Sequence, residues 1–151
     1  MRKLLLITVV FGIVVAARAT PARADFGLGL FLGEPTGLDL KIGLDHRSGL
    51  DIVLGWTTFD NGRNGYGHLT YLVTPVIAQG DAVTVPIRVG IGAAVFGPSS
   101  DLGVLIRAPF EVGLRLRRTP LEFYGEIALA LVFVDPVGFD VQGGLGFRLY
   151  F

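Results

Sequence analysis

The residues of this chain that could do chemistry are few. Its histidines are His46 and His68, it has no cysteine, and an adjacent serine pair, Ser99 and Ser100, is followed directly by Asp101. A serine hydrolase acting on lipid would need a Ser–His pair and an acid to orient the imidazole, a part open here to Asp60 or Asp101. No motif spacing assembles such a set, and His46 sits in a turn between Asp45 and Arg47, where a solvated residue is expected. Two histidines without a cysteine also fail to give the ligand spacing of a histidine-based metal site. The opening "FGLGLFLG" places Gly27, Gly29 and Gly33 at a spacing that loosely echoes a dinucleotide fingerprint. No helix follows it, so the fingerprint lacks the context it needs. The expectation is a protein that is not an enzyme and carries no cofactor.

A second set of polar residues is larger and more regular. Lys41, Arg88, Arg107, Arg115 and Arg148, with Asp39, Asp51, Glu111, Glu122, Glu126 and Asp140, all alternate with apolar neighbours. The stretch "PFEVGLRLRRTPLEFYGEIALAL" shows the pattern: Phe110, Val112, Leu114 and Leu116, then Leu121, Phe123, Ile127, Leu129 and Leu131, alternate with Glu111, Gly113 and Arg115, then Glu122, Tyr124, Glu126 and Ala128. Alternation of period two places the two sets on opposite faces of β-strands. Five bases against six acids nearly cancel, so this face could be a network of ion pairs. It could line a narrow ion path or plug one.

The elements that must carry these residues follow from the turns. Met1-Arg2-Lys3, an apolar run from Leu4 to Ala17 and Ala22-Arg23-Ala24 have the three-part form of a secretory leader, so residues 1–24 are expected to be removed near Ala24. The apolar run is short for a membrane-spanning helix, which needs about 20 residues. The remaining domain, residues 25–151, keeps nine basic and thirteen acidic residues, a net −4, and offers no basic footprint for nucleic acid. It divides into eight alternating runs, Phe26–Gly33, Leu38–Leu44, Gly49–Thr57, Tyr66–Ala78, Ala82–Phe96, Leu102–Leu116, Leu121–Val134 and Phe139–Phe151. Between them lie "EPTG", "DHRS", "TFDNGRNG", "QGD", "GPSSD", "RRTP" and "DPVG", all rich in turn residues. Such short connectors imply antiparallel neighbours, and eight strands in a meander close into an up-and-down barrel. Pro75, Pro86 and Pro109 fall inside these runs, where each removes a ladder donor, and a bulge beside "QGD" is expected to absorb the first two.

The inner face is decided by volume. The apolar set has a large residue at nearly every position, more than a small barrel can enclose, whereas the charged set is interspersed with Gly and Ala. The charged face is therefore read as the inside, with His68, Thr70 and Leu72 inward and Leu69, Tyr71 and Val73 outward. The apolar face suits hydrocarbon, and only a closed sheet satisfies its backbone there. Aromatic residues fall towards the ends of the runs, as interfacial girdles do: Trp56, Phe133 and Phe139 at one rim, Phe26, Phe123, Phe147 and Phe151 at the other. The fold expected is an all-β, eight-stranded antiparallel up-and-down transmembrane β-barrel. A lumen of eight strands is just wide enough for side chains to fill, which favours the plug over the ion path.

The ending "FDVQGGLGFRLYF" resembles the C-terminal strand by which outer-membrane proteins are recognised for barrel insertion, a resemblance carried by Phe147, Leu149 and Phe151. Residues 25–151 as a whole resemble the small outer-membrane barrels of the OmpA/OmpX type. The opening "FGLGLFLGEPTGLDLKIGL" is similar to a family of small bacterial outer-membrane barrels with a Gly33-Glu34-Pro35-Thr36-Gly37 turn and a following lysine, here Lys41. The resemblance implies integral placement in the bacterial outer membrane, with its lipid and the barrel-assembly machinery as partners, and no particular activity. The loop Thr58–Gly65 is the longest connector and the place for an extracellular ligand. The rival readings are a narrow ion channel or small porin, a lipid-modifying outer-membrane enzyme using His68 and Ser99, and a soluble lipocalin-like carrier with its apolar face turned inward.

Overall fold

The computed structural model describes residues 26–58, 64–98, 102–133 and 137–151. Eight strands account for nearly all of them: β1 (Phe26–Glu34), β2 (Thr36–Gly43), β3 (Ser48–Thr57), β4 (Asn64–Gln79), β5 (Val83–Gly97), β6 (Gly103–Leu116), β7 (Leu121–Val132) and β8 (Gly138–Tyr150). Each strand pairs antiparallel with its neighbours in sequence, and β8 pairs back to β1 to close the barrel. The antiparallel meander read from the turns is the fold. The expected leader, Asp60 within the Thr58–Gly65 loop, and Ser99, Ser100 and Asp101 lie outside the described residues.

Local chemistry sets the turns. In the β2–β3 hairpin, Asp45 Oδ1 accepts from the backbone N–H groups of Arg47 (2.7 Å) and Ser48 (2.8 Å), and Oδ2 accepts from the Ser48 hydroxyl (2.6 Å). This side-chain turn mimics a backbone one, and the donated bonds hold the Asp45 carboxyl below its ordinary pKa. The first hairpin is tighter than the four-residue "EPTG" turn expected. Only Pro35 separates β1 from β2, its peptide bond with Glu34 is cis, and the Thr36 hydroxyl bridges both backbone groups of Gly33. At the end of β5, Gly97 has φ +119°, a backbone conformation that a side chain would strain.

The three prolines are accommodated in two ways. The β4–β5 register shifts between Val73 and Val76, so a bulge absorbs Pro75. Pro86, expected to share that bulge, does not. It pairs with Ile77 beyond the shift, and the β5–β6 ladder skips both Pro86 and Pro109 while keeping one register on either side of each. An inward ring costs the barrel one donor there and leaves the strand phase intact.

Burial follows that phase. Along β6, Gly103, Leu105, Arg107, Pro109, Glu111 and Gly113 are buried, and Val104, Ile106, Ala108, Phe110, Val112 and Leu114 are exposed. In β4, His68, Thr70 and Leu72 face inward and Leu69, Tyr71 and Val73 outward, as the alternation predicts. The outer surface carries Leu38, Leu54, Ile91, Leu129 and Leu145, each more than half exposed. The lipocalin-like alternative needs the apolar face inside, and the burial pattern puts it outside. Aromatic residues lie towards both ends of the strands. Phe26 and Phe151 meet at 6.4 Å at one rim, with Phe123 and Phe147 paired across β7 and β8 beside them. Trp56, Phe133 and Phe139 mark the opposite rim.

The seam that closes the barrel depends on backbone proximity. A Cβ added to Gly29 on β1 would lie 1.7 Å from the backbone oxygen of Phe147 on β8, whereas one added to Gly138 meets nothing within 4 Å. Gly29→Ala must push the two strands apart and is expected to destabilise the barrel by roughly 1–3 kcal/mol, the range for overpacking. Gly138→Ala is expected to be neutral. Urea unfolding followed by tryptophan fluorescence checks both; equal stability of the two variants would mean that the seam tolerates separation.

Candidate functional site

The interior is built from strand positions that alternate with the apolar belt, so each inward charge is aimed by the pleat of its own strand. At the Trp56 rim the lumen is filled by an apolar cluster of Tyr66, Ala94, Phe96, Leu105 and Ala130, with Val132 packed against it. Small residues opposite large ones make this filling fit. A Cβ on Gly103 would lie 2.5 Å from the Phe96 ring, and one on Gly146 would lie 2.3 Å from the Tyr124 ring. Phe31 and Tyr124 stack with centroids 5.9 Å apart, and both pack with Val53 in a second cluster.

The ion pairs occupy the remaining lumen and centre on Arg148, which has no exposed surface. Its Nε donates to Asp39 Oδ2 (2.5 Å), Nη2 to Asp51 Oδ1 (2.5 Å) and Nη1 to Glu111 Oε2 (3.0 Å). The guanidinium carbon lies 3.7 Å from the Tyr124 ring centroid, and the Tyr124 hydroxyl donates to Asp39. The planar fork of arginine can serve several carboxylates at once, which a lysine ammonium cannot do with the same geometry. Arg88 makes a two-pronged contact with Glu122, Nη1 to Oε1 at 2.7 Å and Nη2 to Oε2 at 2.8 Å, and also donates to Glu111. Tyr150 adds a hydroxyl donor to Glu122 at 3.3 Å.

Nearer the apolar cluster, Arg107 donates to Glu126 and reaches Thr70 Oγ1 at 3.3 Å. Its Nη1 lies 2.8 Å from His68 Nδ1, while His68 Nε2 lies 3.2 Å from Asp51 Oδ2. The same Nη1 lies 2.9 Å from His68 Nε2, so the imidazole is held between the guanidinium and the carboxylate. His68 is thus held in the network that the alternation placed on its face. The serine pair considered for a hydrolase lies outside the described residues.

Asp39, Lys41, Asp51, Arg88, Arg107, Glu111, Glu122, Glu126 and Arg148 are all buried, and the ion pairs join them into one lumen. Arg115 and Asp140, read as members of the same set, sit at its two ends and are half-buried. Arg115 stacks over Tyr150 at 4.0 Å, and no ion pair to Asp140 is found among the described residues. The sequence placed Tyr124 on the inward face without a role and weighed His68 for a lipid-modifying enzyme; the structure makes both hydrogen-bond partners, together with Tyr150 and with Gln142, which accepts from Tyr66 at 3.1 Å. Glu34 was read only as part of a turn. It accepts from the hydroxyl groups of Thr57 and Thr58 and from the Thr58 N–H, tying the first hairpin to the end of β3. Its position next to a proline turn held no signal for that contact across strands.

No protein-family model, curated protein or solved structure matches the chain.

Breaking a buried pair by removing one member typically costs about 3–5 kcal/mol, because the other charge is left uncompensated. Arg148→Met abandons four carboxylates and is expected to reach or exceed that range in urea unfolding. For Arg107 and Glu126, the double variant Arg107→Met with Glu126→Gln is expected to be more stable than Arg107→Met alone. Additive losses in that double-mutant cycle would show that the two side chains act independently.

Proposed function

We propose that the protein is an integral outer-membrane β-barrel whose lumen is plugged by salt bridges, with a structural or surface-interaction role in the bacterial envelope. The observation that carries this reading is the inversion of the barrel: leucine, valine, isoleucine and phenylalanine exposed around the outside of a closed sheet, and nine charged residues buried within it. In water such a belt would drive association. In hydrocarbon it is the solvated face, and the closed ladder leaves no backbone edge to satisfy. Aromatic residues at both rims fit the two interfaces of a bilayer.

In this reading the Phe26–Phe151 rim, which carries turns of three or four residues, faces the periplasm. The rim with the longer connectors, including the Thr58–Gly65 loop, faces outward and would contact any external ligand. The partners are outer-membrane lipid and, during insertion, the barrel-assembly machinery that reads the strand ending in Phe151. The chemistry proposed is not enzymatic: the buried charges are spent on one another, and His68 is engaged by Arg107 and Asp51. The apolar cluster and the ion pairs lie in series along the lumen, which supports a plug over a pore.

Ile127 separates the membrane reading from a soluble one. It lies on β7 between Phe110 and Gly143 and is 55% exposed. At a bilayer midplane Ile127→Arg is expected to cost about 2–4 kcal/mol, measured by unfolding from lipid vesicles. On a water-facing surface the same change is close to neutral. The native protein is expected in outer-membrane fractions, migrating faster in detergent electrophoresis before boiling than after. A soluble periplasmic chain without that shift would sink the proposal. Planar bilayers are expected to show no conductance steps; a conductance that changes in Arg107→Ala or Glu126→Ala would replace the plug with a channel.

A further inference from the structure

At the Phe26–Phe151 rim the barrel is not filled to its mouth. A recess of about 120 Å3 opens there, lined by side chains that include Lys41, Arg47, Arg88, Arg115, Thr74 and Tyr150. Its charge is one-sided. The lining holds four basic side chains, and its acid is Asp45, whose carboxylate is occupied by the turn bonds from Arg47 and Ser48. Glu111 and Glu122, the partners of Arg88, are not part of the lining. The bases face the recess and the acids lie behind them.

Lys41 supplies the second observation. It is 7% exposed, and its Nζ makes no hydrogen bond among the described residues. Glu111 Oε1 stands 3.6 Å away, close enough to balance charge and too far to accept a hydrogen bond. A buried ammonium has three donors to satisfy, and leaving them unmade is costly. The lysine is on β2 and Arg115 on β6, at opposite sides of the mouth, so donors converge on the recess from several directions. Convergence of ammonium, guanidinium and hydroxyl groups suits a tetrahedral oxyanion better than a planar carboxylate, which is satisfied by a single arginine fork.

We infer that this recess is a binding site for a phosphate-type oxyanion, held by Lys41 and Arg115 at the mouth of the barrel. The site requires only the recess and its lining, so it stands apart from the membrane reading. The anion is either free phosphate or the phosphate of a phospholipid headgroup reaching in at the rim.

The test titrates inorganic phosphate into the folded, detergent-purified protein and measures heat by calorimetry, then repeats the titration with micelles containing phosphatidylglycerol. Saturable one-to-one binding of free phosphate identifies the free ion. Binding seen only with the phospholipid identifies the headgroup. Lys41→Gln and Arg115→Gln are each expected to weaken binding at least tenfold, with native heat-dependent mobility as the check on folding. Arg115 is half-buried where Lys41 is buried, so its variant answers the question even if Lys41→Gln fails to fold. Arg118→Gln, on the neighbouring β6–β7 turn, is expected to bind as the native protein does. No saturable binding of either probe overturns the inference. So does binding that survives Arg115→Gln and is lost in Arg118→Gln, which would place the anion on the outer turn.

Discussion

Arg148 is held by four carboxylates from four other strands, Asp39 on β2, Asp51 on β3, Glu111 on β6 and, at 3.5 Å, Glu122 on β7, and an aromatic ring from β7 covers its guanidinium. A cation with no exposed surface is tolerable only when its donors are all engaged and the opposing charge is close. That requirement ties the two sides of the barrel together through its centre. Asp39 and Asp51 sit on adjacent strands, whereas Glu111 comes from across the lumen, so the network links opposite walls of the cylinder. Arg88 and Arg107 extend the same logic towards the two ends, each bound to an acid on β6 or β7.

Closure makes this interior possible, and the interior in turn limits closure. Eight strands enclose a volume that side chains can fill without a cofactor or a chamber. Here the filling is graded: aromatic and aliphatic packing at the Trp56 rim, ion pairs through the middle and a basic recess at the other rim. Glycines opposite Phe96 and Tyr124 make room for the large rings, and Gly29 lets β1 and β8 approach at the seam. The polar interior therefore costs the outside little, because the outward positions stay free for large apolar residues on every strand.

The same distribution decides what chemistry the molecule can offer. Acids and bases that might have served a reaction are bound to one another, and the imidazole among them lies between a guanidinium and a carboxylate. Lys41 differs from the arginines: with Glu111 standing 3.6 Å away, it is a buried ammonium without a hydrogen bond among the described residues. It lines the recess at the rim, where the packing leaves space and the bases outnumber the acids. With most of its buried charges engaged by one another, the molecule offers polar chemistry at that mouth.

The sequence alone determined the strands, their phase and the direction of the charges. An alternation of period two is a local property, so the inward face of β6 could be read residue by residue, and turn chemistry set the eight-strand meander. The inside was also legible, because glycine and alanine recur among the charges while the opposite face has a large apolar residue at nearly every position. Tertiary structure decided the partners. Which carboxylate meets Arg148 depends on strand stagger and on distances across the lumen, and neither is encoded in the pattern of one strand. It decided that Pro75 takes a bulge and Pro86 does not, since a register shift is a relation between two strands. It also placed Glu34 against Thr57 and Thr58, and left Lys41 facing a recess. Periodicity names the face a side chain occupies; only the closed barrel fixes what stands opposite.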